Sequence, residues 1–148
     1  MNGLLDKVRA LLGAEAVLDA GAAGVAPRIA PPTPEAVALL LRTATEEGWK
    51  VRVEGTGSWQ PADAPADLAL TTRRLDAVES IEPQDLVATA QAGVGWDRLG
   101  HQLAERGVWV ALDPPGLAGR SVGSIVACGT AGPLRQGLVS YDVDAVGQ

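Results

Sequence analysis

Val51-Arg52-Val53-Glu54 alternates apolar and charged residues and runs directly into Gly55-Thr56-Gly57-Ser58-Trp59. A strand ending in a turn of small residues is suited to anion binding. With no Cβ at Gly55 or Gly57, several backbone N–H groups can point into one small volume, as they do around a phosphate. Two glycines one apart are also an ordinary tight turn, and the pattern alone does not separate the two readings. A second stretch rich in small residues, Ser121 to Gly132, could supply the opposite wall. Its own alternative is a close-packed helix start with no ligand.

Other chemistry is poorly supported by the residues. A Rossmann fingerprint needs a third glycine that neither Gly55-Thr56-Gly57 nor Gly93-Val94-Gly95 has. A P-loop needs a lysine after its last glycine, and both lysines, Lys7 and Lys50, lie elsewhere. The single histidine, His101, provides neither a zinc pair nor a Ser–His–Asp set, and it reads as a solvated surface residue. The single cysteine, Cys128, excludes an internal disulfide and a cysteine-based metal cluster and reads as a small buried residue.

The elements that must position the two small-residue stretches follow from periodicity and punctuation. Leu4, Leu5, Val8, Leu11 and Leu12 predict a short amphipathic helix over residues 3 to 12, stopped by Gly13. Residues 13 to 26 read as a loop with one extended piece around Val17 and Leu18. Arg28-Ile29-Ala30 is extended because Pro31 and Pro32 follow. Thr33 then caps a helix with Pro34 in its first position and Glu35 in its first turn. Val37, Leu40, Leu41 and Ala44 form one face, and Gly48 is the stop. Lys50 to Val53 is the next strand, giving a βαβ order and a parallel pair. Leu68 to Thr71 predicts a third strand. Ala77 to Ile81 and Leu86 to Gln91 predict a hairpin turning through Glu82-Pro83-Gln84-Asp85. Gly95 to Arg106 predicts a helix with Trp96, Leu99 and Leu103 inward and His101 opposite. Val108 to Leu112 predicts a short strand before the rigid turn Asp113-Pro114-Pro115-Gly116.

Composition bounds the whole. The chain has 148 residues, the size of one domain, with four Trp, one Tyr and no Phe, so its core must be built from Ala, Val and Leu, which suits an α/β protein. The net charge of −6 and scattered basic residues argue against a nucleic-acid partner. Asp6, Lys7 and Arg9 interrupt the first apolar segment, which lacks the run of a signal peptide or membrane span. The expected location is cytoplasmic, with peripheral attachment at the inner membrane through partners left open.

The order of these signals resembles the FAD-binding domain shared by vanillyl-alcohol oxidase, p-cresol methylhydroxylase (PCMH) and the FAD-linked subunits of bacterial glycolate oxidase. Pro32-Thr33-Pro34-Glu35 before a helix, Val51 to Ser58 after it, Leu75 to Ile81, Ala88 to Gly93, Gly107 to Gly116 and Ser121 to Gly132 occur in that family's order and approximate spacing. Ala127-Cys128-Gly129 followed by Ala131-Gly132-Pro133 is most similar to the smaller FAD-binding subunit of glycolate oxidase. The resemblance implies an α/β (α+β) fold: a small parallel βαβ sheet flanked by helices, with an adjoining mixed or antiparallel sheet. It implies FAD as cofactor. The pyrophosphate is expected against Gly55, Thr56, Gly57, Ser58 and Trp59, with Ser121, Val122, Gly123, Ser124 and Ala127 on the other side and Pro114-Pro115 near the flavin. Oxidation of a small 2-hydroxy acid follows, with electrons leaving through a partner subunit such as an iron–sulfur protein. The other reading is a non-catalytic assembly subunit or remnant that binds flavin weakly or not at all.

Departures from the family pattern carry their own implications. Many members have a covalently bonding histidine in or beside the glycine turn. Ser58 or Trp59 stands there in this chain, which implies a non-covalent cofactor. Ser124 replaces a frequent second glycine. Glu54 would repel a pyrophosphate and is expected to turn toward solvent. The family continues with a strand-rich lobe and a substrate-binding domain that do not fit after Tyr141-Asp142-Val143-Asp144. Residues 1–148 are therefore expected to be one FAD-binding domain, either the first part of a longer flavoprotein or a short relative that depends on partners. The resemblance leaves the catalytic base outside the covered region.

Overall fold

The structure, a computed structural model, describes residues 2–22, 24–57, 65–114 and 119–129. Helix α1 spans Asn2–Leu12 and buries Leu5 and Val8, two members of its predicted stripe. A 3₁₀ turn over Ala14–Ala16 leads into β1, Val17–Asp19, the extended piece expected there. Strand β2 is only Arg28–Ile29, cut short by the prolines that follow. Helix α2, Pro34–Glu47, starts where Thr33 Oγ1 accepts the Ala36 N–H at 3.2 Å, a cap that contributes about 1 kcal/mol. It ends at Gly48, whose left-handed φ of 70° lets the Trp49 N–H donate back to Ala44 O at 2.8 Å.

Strands β3 (Val51–Glu54) and β4 (Leu68–Thr71) complete a four-stranded sheet in the order β1-β2-β4-β3. The βαβ pattern predicts β2 and β3 as a parallel pair. They are parallel in direction, but β4 lies between them and pairs with both. Burial explains the insertion. All four residues of β4 are buried, as a central strand requires, whereas Val53 of β3 is 53% exposed, as an edge strand allows. Leu5, Val8, Ile29, Leu40, Leu68 and Leu70 form one core cluster that joins α1 and α2 to one face of this sheet. Each such side chain contributes about 1.5–3 kcal/mol by leaving water.

Strands β5 (Val78–Glu82) and β6 (Val87–Ala90) form the expected antiparallel hairpin. Its turn carries Leu86 at a left-handed φ of 57° with the side chain 83% exposed. Helix α3, Trp96–Glu105, turns Leu99 and Leu103 onto Val94 to make a second cluster, with Val78, Ile81 and Val110 packed at its margin. His101 is exposed on the far side of α3. The strand expected over Val108 to Leu112 has no ladder: the Val108 N–H donates to Leu103 O and the Leu112 N–H to Val110 O. Its apolar alternation serves packing instead, with Val108 and Val110 against the second cluster and Trp109 71% exposed between them. Helix α4 spans Val122–Cys128. Among the described residues no helix is long and apolar enough to cross a membrane.

Candidate functional site

Strand β3 ends at Glu54, and the Gly55–Gly57 turn leaves from its C-terminal end, the side on which open α/β sheets bind ligands. The carbonyl oxygens of Glu54 and the turn are held by the end of β4 and the segment after it. The Thr72 N–H donates to Glu54 O at 3.1 Å, Thr71 Oγ1 to Gly55 O at 2.8 Å, and Arg73 Nη2 to Thr56 O at 3.1 Å. Gly57 is exposed and takes a φ of 81°, a conformation open to glycine and strained for most other residues.

Helix α4 starts beside this turn. Ser121 caps it, its Oγ accepting the Ser124 N–H at 3.3 Å, while Ser124 Oγ donates to Ser121 O at 2.8 Å. The Val122 N–H donates to Val94 O and the Gly123 N–H to Ala92 O, both at 2.8 Å, and the Trp96 N–H donates to Arg120 O at 2.9 Å. The N–H groups at the start of α4 therefore bond to protein, and this segment offers a ligand surface more than donors. Gly123 is small for the same reason: a Cβ there would lie 2.8 Å from Ala92 Cβ and 2.9 Å from Ala92 O.

The two small-residue stretches meet. A Cβ on Gly55 would run into Ser121 Oγ and would lie 3.6 Å from Ser124 Cβ. They touch at Gly55 and do not face each other across a gap there, so the open side of the turn is at Thr56 and Gly57. Val122, Gly123 and Ser124 are half-buried and Ala127 is exposed at the end of α4. Pro114 is fully buried and belongs to the protein interior on the described residues. Ser58, Trp59 and Pro115 lie outside the described residues, as does the chain after Gly129.

Glu54 does not turn toward solvent. Its side chain is 7% exposed, with Oε1 2.7 Å from Arg28 Nε and Oε2 3.5 Å from Arg52 Nη2. Strand register causes this. Arg28 and Arg52 both pair with Ala69, so the three side chains form one row on the sheet face opposite the apolar core, and Glu54 stands on that face two residues further along β3. The methyl group of Ala69 leaves room for both guanidinium groups to reach the carboxylate. This pairing cancels the repulsion that a lone carboxylate would exert on an anion at the turn. Neither arginine is singled out by a local motif; Arg52 is on the same strand as Glu54, whereas only pairing through β4 brings Arg28 to the turn.

Cys128 is exposed and not buried, because α4 turns Ile125 into the interior and Cys128 is its last residue, beyond that contact. No group of residues suited to a metal ion occurs among the described residues. A concavity of about 560 Å³ lies at the opposite pole, before the N-terminal ends of the parallel strands, against Pro27, Trp49 and Asp67. A smaller one of about 120 Å³ is lined by Trp96, Leu103 and Trp109. Neither includes the glycine turn.

Residues 26–143 match the model of the family described as FAD binding domain. No curated protein matches the chain. Among solved structures it is similar to an alkyldihydroxyacetonephosphate synthase, with a TM-score of 0.62 and 21% identity over 68% of this chain and 20% of that one. It is also similar to p-cresol methylhydroxylase with substrate bound, at 0.62 and 16% over 78% and 27%. A third is the 4-ethylphenol oxidase from Gulosibacter chungangensis, at 0.61 and 16% over 72% and 25%. At these identities the likeness is one of fold, and the chain spans 20–27% of the length of these three structures. It confirms the mixed architecture, a sheet with parallel pairing beside an antiparallel hairpin. On the family match, the chain belongs to the FAD binding domain family, and FAD is its cofactor.

Proposed function

We propose that this chain is the FAD-binding part of an oxidoreductase that oxidises a small 2-hydroxy acid and hands the electrons to a partner subunit containing an iron–sulfur centre. The observation that carries this reading is the meeting of Gly55 with Ser121 at the carboxyl end of the parallel strands, which joins two stretches distant along the chain at one exposed turn. In this reading Gly55, Thr56, Gly57, Ser58 and Trp59 hold the diphosphate. Ser121, Val122, Gly123, Ser124 and Ala127 support the turn from the side, and Pro114-Pro115, with Pro114 buried in the interior, stand behind the ring site. FAD, when bound, supplies the hydride-accepting ring system. The protein's share is to bind and orient it: the oxygens of Gly55 and Thr56 are held back by Thr71 and Arg73, and the Glu54 charge is neutralised. The 2-hydroxy acid rests on the likeness of the Ala127-Cys128-Gly129 stretch to the smaller glycolate oxidase subunit.

A second reading is a non-catalytic assembly subunit with weak flavin binding. It is favoured by one observation: the Val122, Gly123 and Ser124 N–H groups already bond within the protein. The two separate in one experiment. In the first reading a flavin bound to the purified chain, or to the chain with its partners, is bleached by glycolate or lactate, and acid denaturation releases all the colour because no histidine stands at Ser58 or Trp59. Flavin binding without bleaching by any 2-hydroxy acid would overturn the substrate assignment, and colour retained on the polypeptide would overturn the non-covalent one.

A further inference from the structure

We propose that Arg28 is a diphosphate-binding residue of the FAD site and that Glu54 is the positioning residue that aims it, an inference that rests on the reading of the Gly55–Gly57 turn above. Arg28 enters from β2, separated from β3 by the whole of β4, and belongs to no glycine motif. The register nevertheless sets it in one row with Ala69 and Arg52, next to Glu54. A guanidinium has five donors in a planar fork. Arg28 uses Nε for Glu54 at 2.7 Å, and among the described residues this is its one side-chain hydrogen bond. The two Nη groups are left to the outer edge of the fork. Nη2 lies 3.6 Å from where a Cβ on Gly57 would be, at the exposed side of the turn, with the two Glu54 carboxylate oxygens 3.9 Å from the same position.

The two arginines divide the work by depth. The Arg52 side chain is 10% exposed, about as buried as the carboxylate, whereas that of Arg28 is 29% exposed and reaches the surface. Glu54 lies against both guanidinium groups, and the more exposed of the two is that of Arg28. The fork matches two phosphate oxygens as it matches a carboxylate, and anchoring at Nε fixes its plane before the ligand arrives. Glu54, which looks unfavourable beside a diphosphate, is in this arrangement what holds the fork in place.

The competing explanation is that Arg28 only neutralises a buried carboxylate. Titrating FAD into the purified chain, followed by flavin fluorescence, separates the two when the carboxylate is removed as well. The double variant Arg28→Gln/Glu54→Gln has no Glu54 charge to neutralise, and its FAD dissociation constant is expected to rise about 10- to 100-fold, the range of one or two charge-assisted hydrogen bonds. Arg28→Lys/Glu54→Gln should recover part of the loss. FAD affinity of the Gln/Gln variant within about twofold of wild type, roughly 0.4 kcal/mol, overturns the proposal and leaves the turn assignment standing. Should that variant not fold, Arg28→Lys alone keeps the ion pair with Glu54 but loses the fork. Weaker FAD binding is then expected, and unchanged affinity overturns the proposal. Absence of FAD binding by the wild-type chain is a different failure, seen before any substitution, and removes the turn assignment together with the proposal.

Discussion

Gly55→Ala should destabilise the chain, and most of that cost should vanish when Ser121 is also alanine. The added methyl group would strike Ser121 Oγ, while Ser121 Cβ at 3.5 Å and Ser124 Cβ at 3.6 Å are ordinary contacts. The hydroxyl alone is the obstacle. It can yield by leaving its place as the cap of α4, where it accepts the Ser124 N–H at 3.3 Å; a lost cap costs about 1 kcal/mol. If the backbones part instead, overpacking costs about 1–3 kcal/mol. Gly55→Ala is therefore expected to cost about 1–3 kcal/mol and Ser121→Ala about 1 kcal/mol. The double variant should be close to Ser121→Ala alone, a coupling of about 1–3 kcal/mol. Urea unfolding of the four proteins, with no ligand present, measures it. Costs that add within about 0.5 kcal/mol would mean that the hydroxyl does not meet this glycine, and the assembly of the site as described would be wrong.

Two further expectations concern the elements that carry the site. Gly123→Ala should lower stability by about 1–3 kcal/mol, because the methyl group would meet the Ala92 backbone and Cβ, which cannot swing away; an unchanged thermal midpoint would contradict the close approach of α4 to this segment. At the start of α2, the Glu35 carboxyl is held below its ordinary value, first by its own backbone N–H and then by the Thr33 hydroxyl. A depressed folded value means that the stabilisation is present above the unfolded carboxylate range and is lost as pH falls through the folded value. Glu35→Gln should therefore lower the melting temperature slightly at about pH 7 and not at about pH 2, and a difference that grows on acidification would contradict this.

Local signals were legible in the sequence wherever one segment decides its own conformation. Thr33, Pro34 and Gly48 bracket α2, the hairpin of β5 and β6 stands where the alternation placed it, and the Leu99 and Leu103 stripe faces inward. What was not legible depends on which segments become neighbours. The placement of β4 between β2 and β3 follows from burial of Leu68 to Thr71 on both faces, a short apolar run whose position in the sheet no local pattern states. The approach of Arg28 to Glu54 followed from that placement, since only pairing through Ala69 brings Arg28 to a carboxylate that Arg52 already reaches from the same strand. Its charge pointed outward on local grounds, and long-range register reversed it. The stretch over Val108 to Leu112 misled in the opposite way: alternation reports which side chains are buried, and burial here is achieved without a partner strand. Of the candidate site, the two small-residue stretches come together, but in contact at Gly55 and not as walls facing across a gap, and Gly55 and Gly123 are small to let protein touch protein, at Ser121 and at Ala92.

The glycine turn as the diphosphate cradle is tested most directly by titrating FAD into the wild-type chain and into Gly57→Asp. The substitution puts a side chain on a left-handed backbone and a carboxylate beside Arg28, so that it competes for the same guanidinium and repels an incoming diphosphate. The expected result is saturable FAD binding by the wild type at micromolar concentrations and loss of that binding in a folded Gly57→Asp chain. Equal affinity in the two proteins would contradict it.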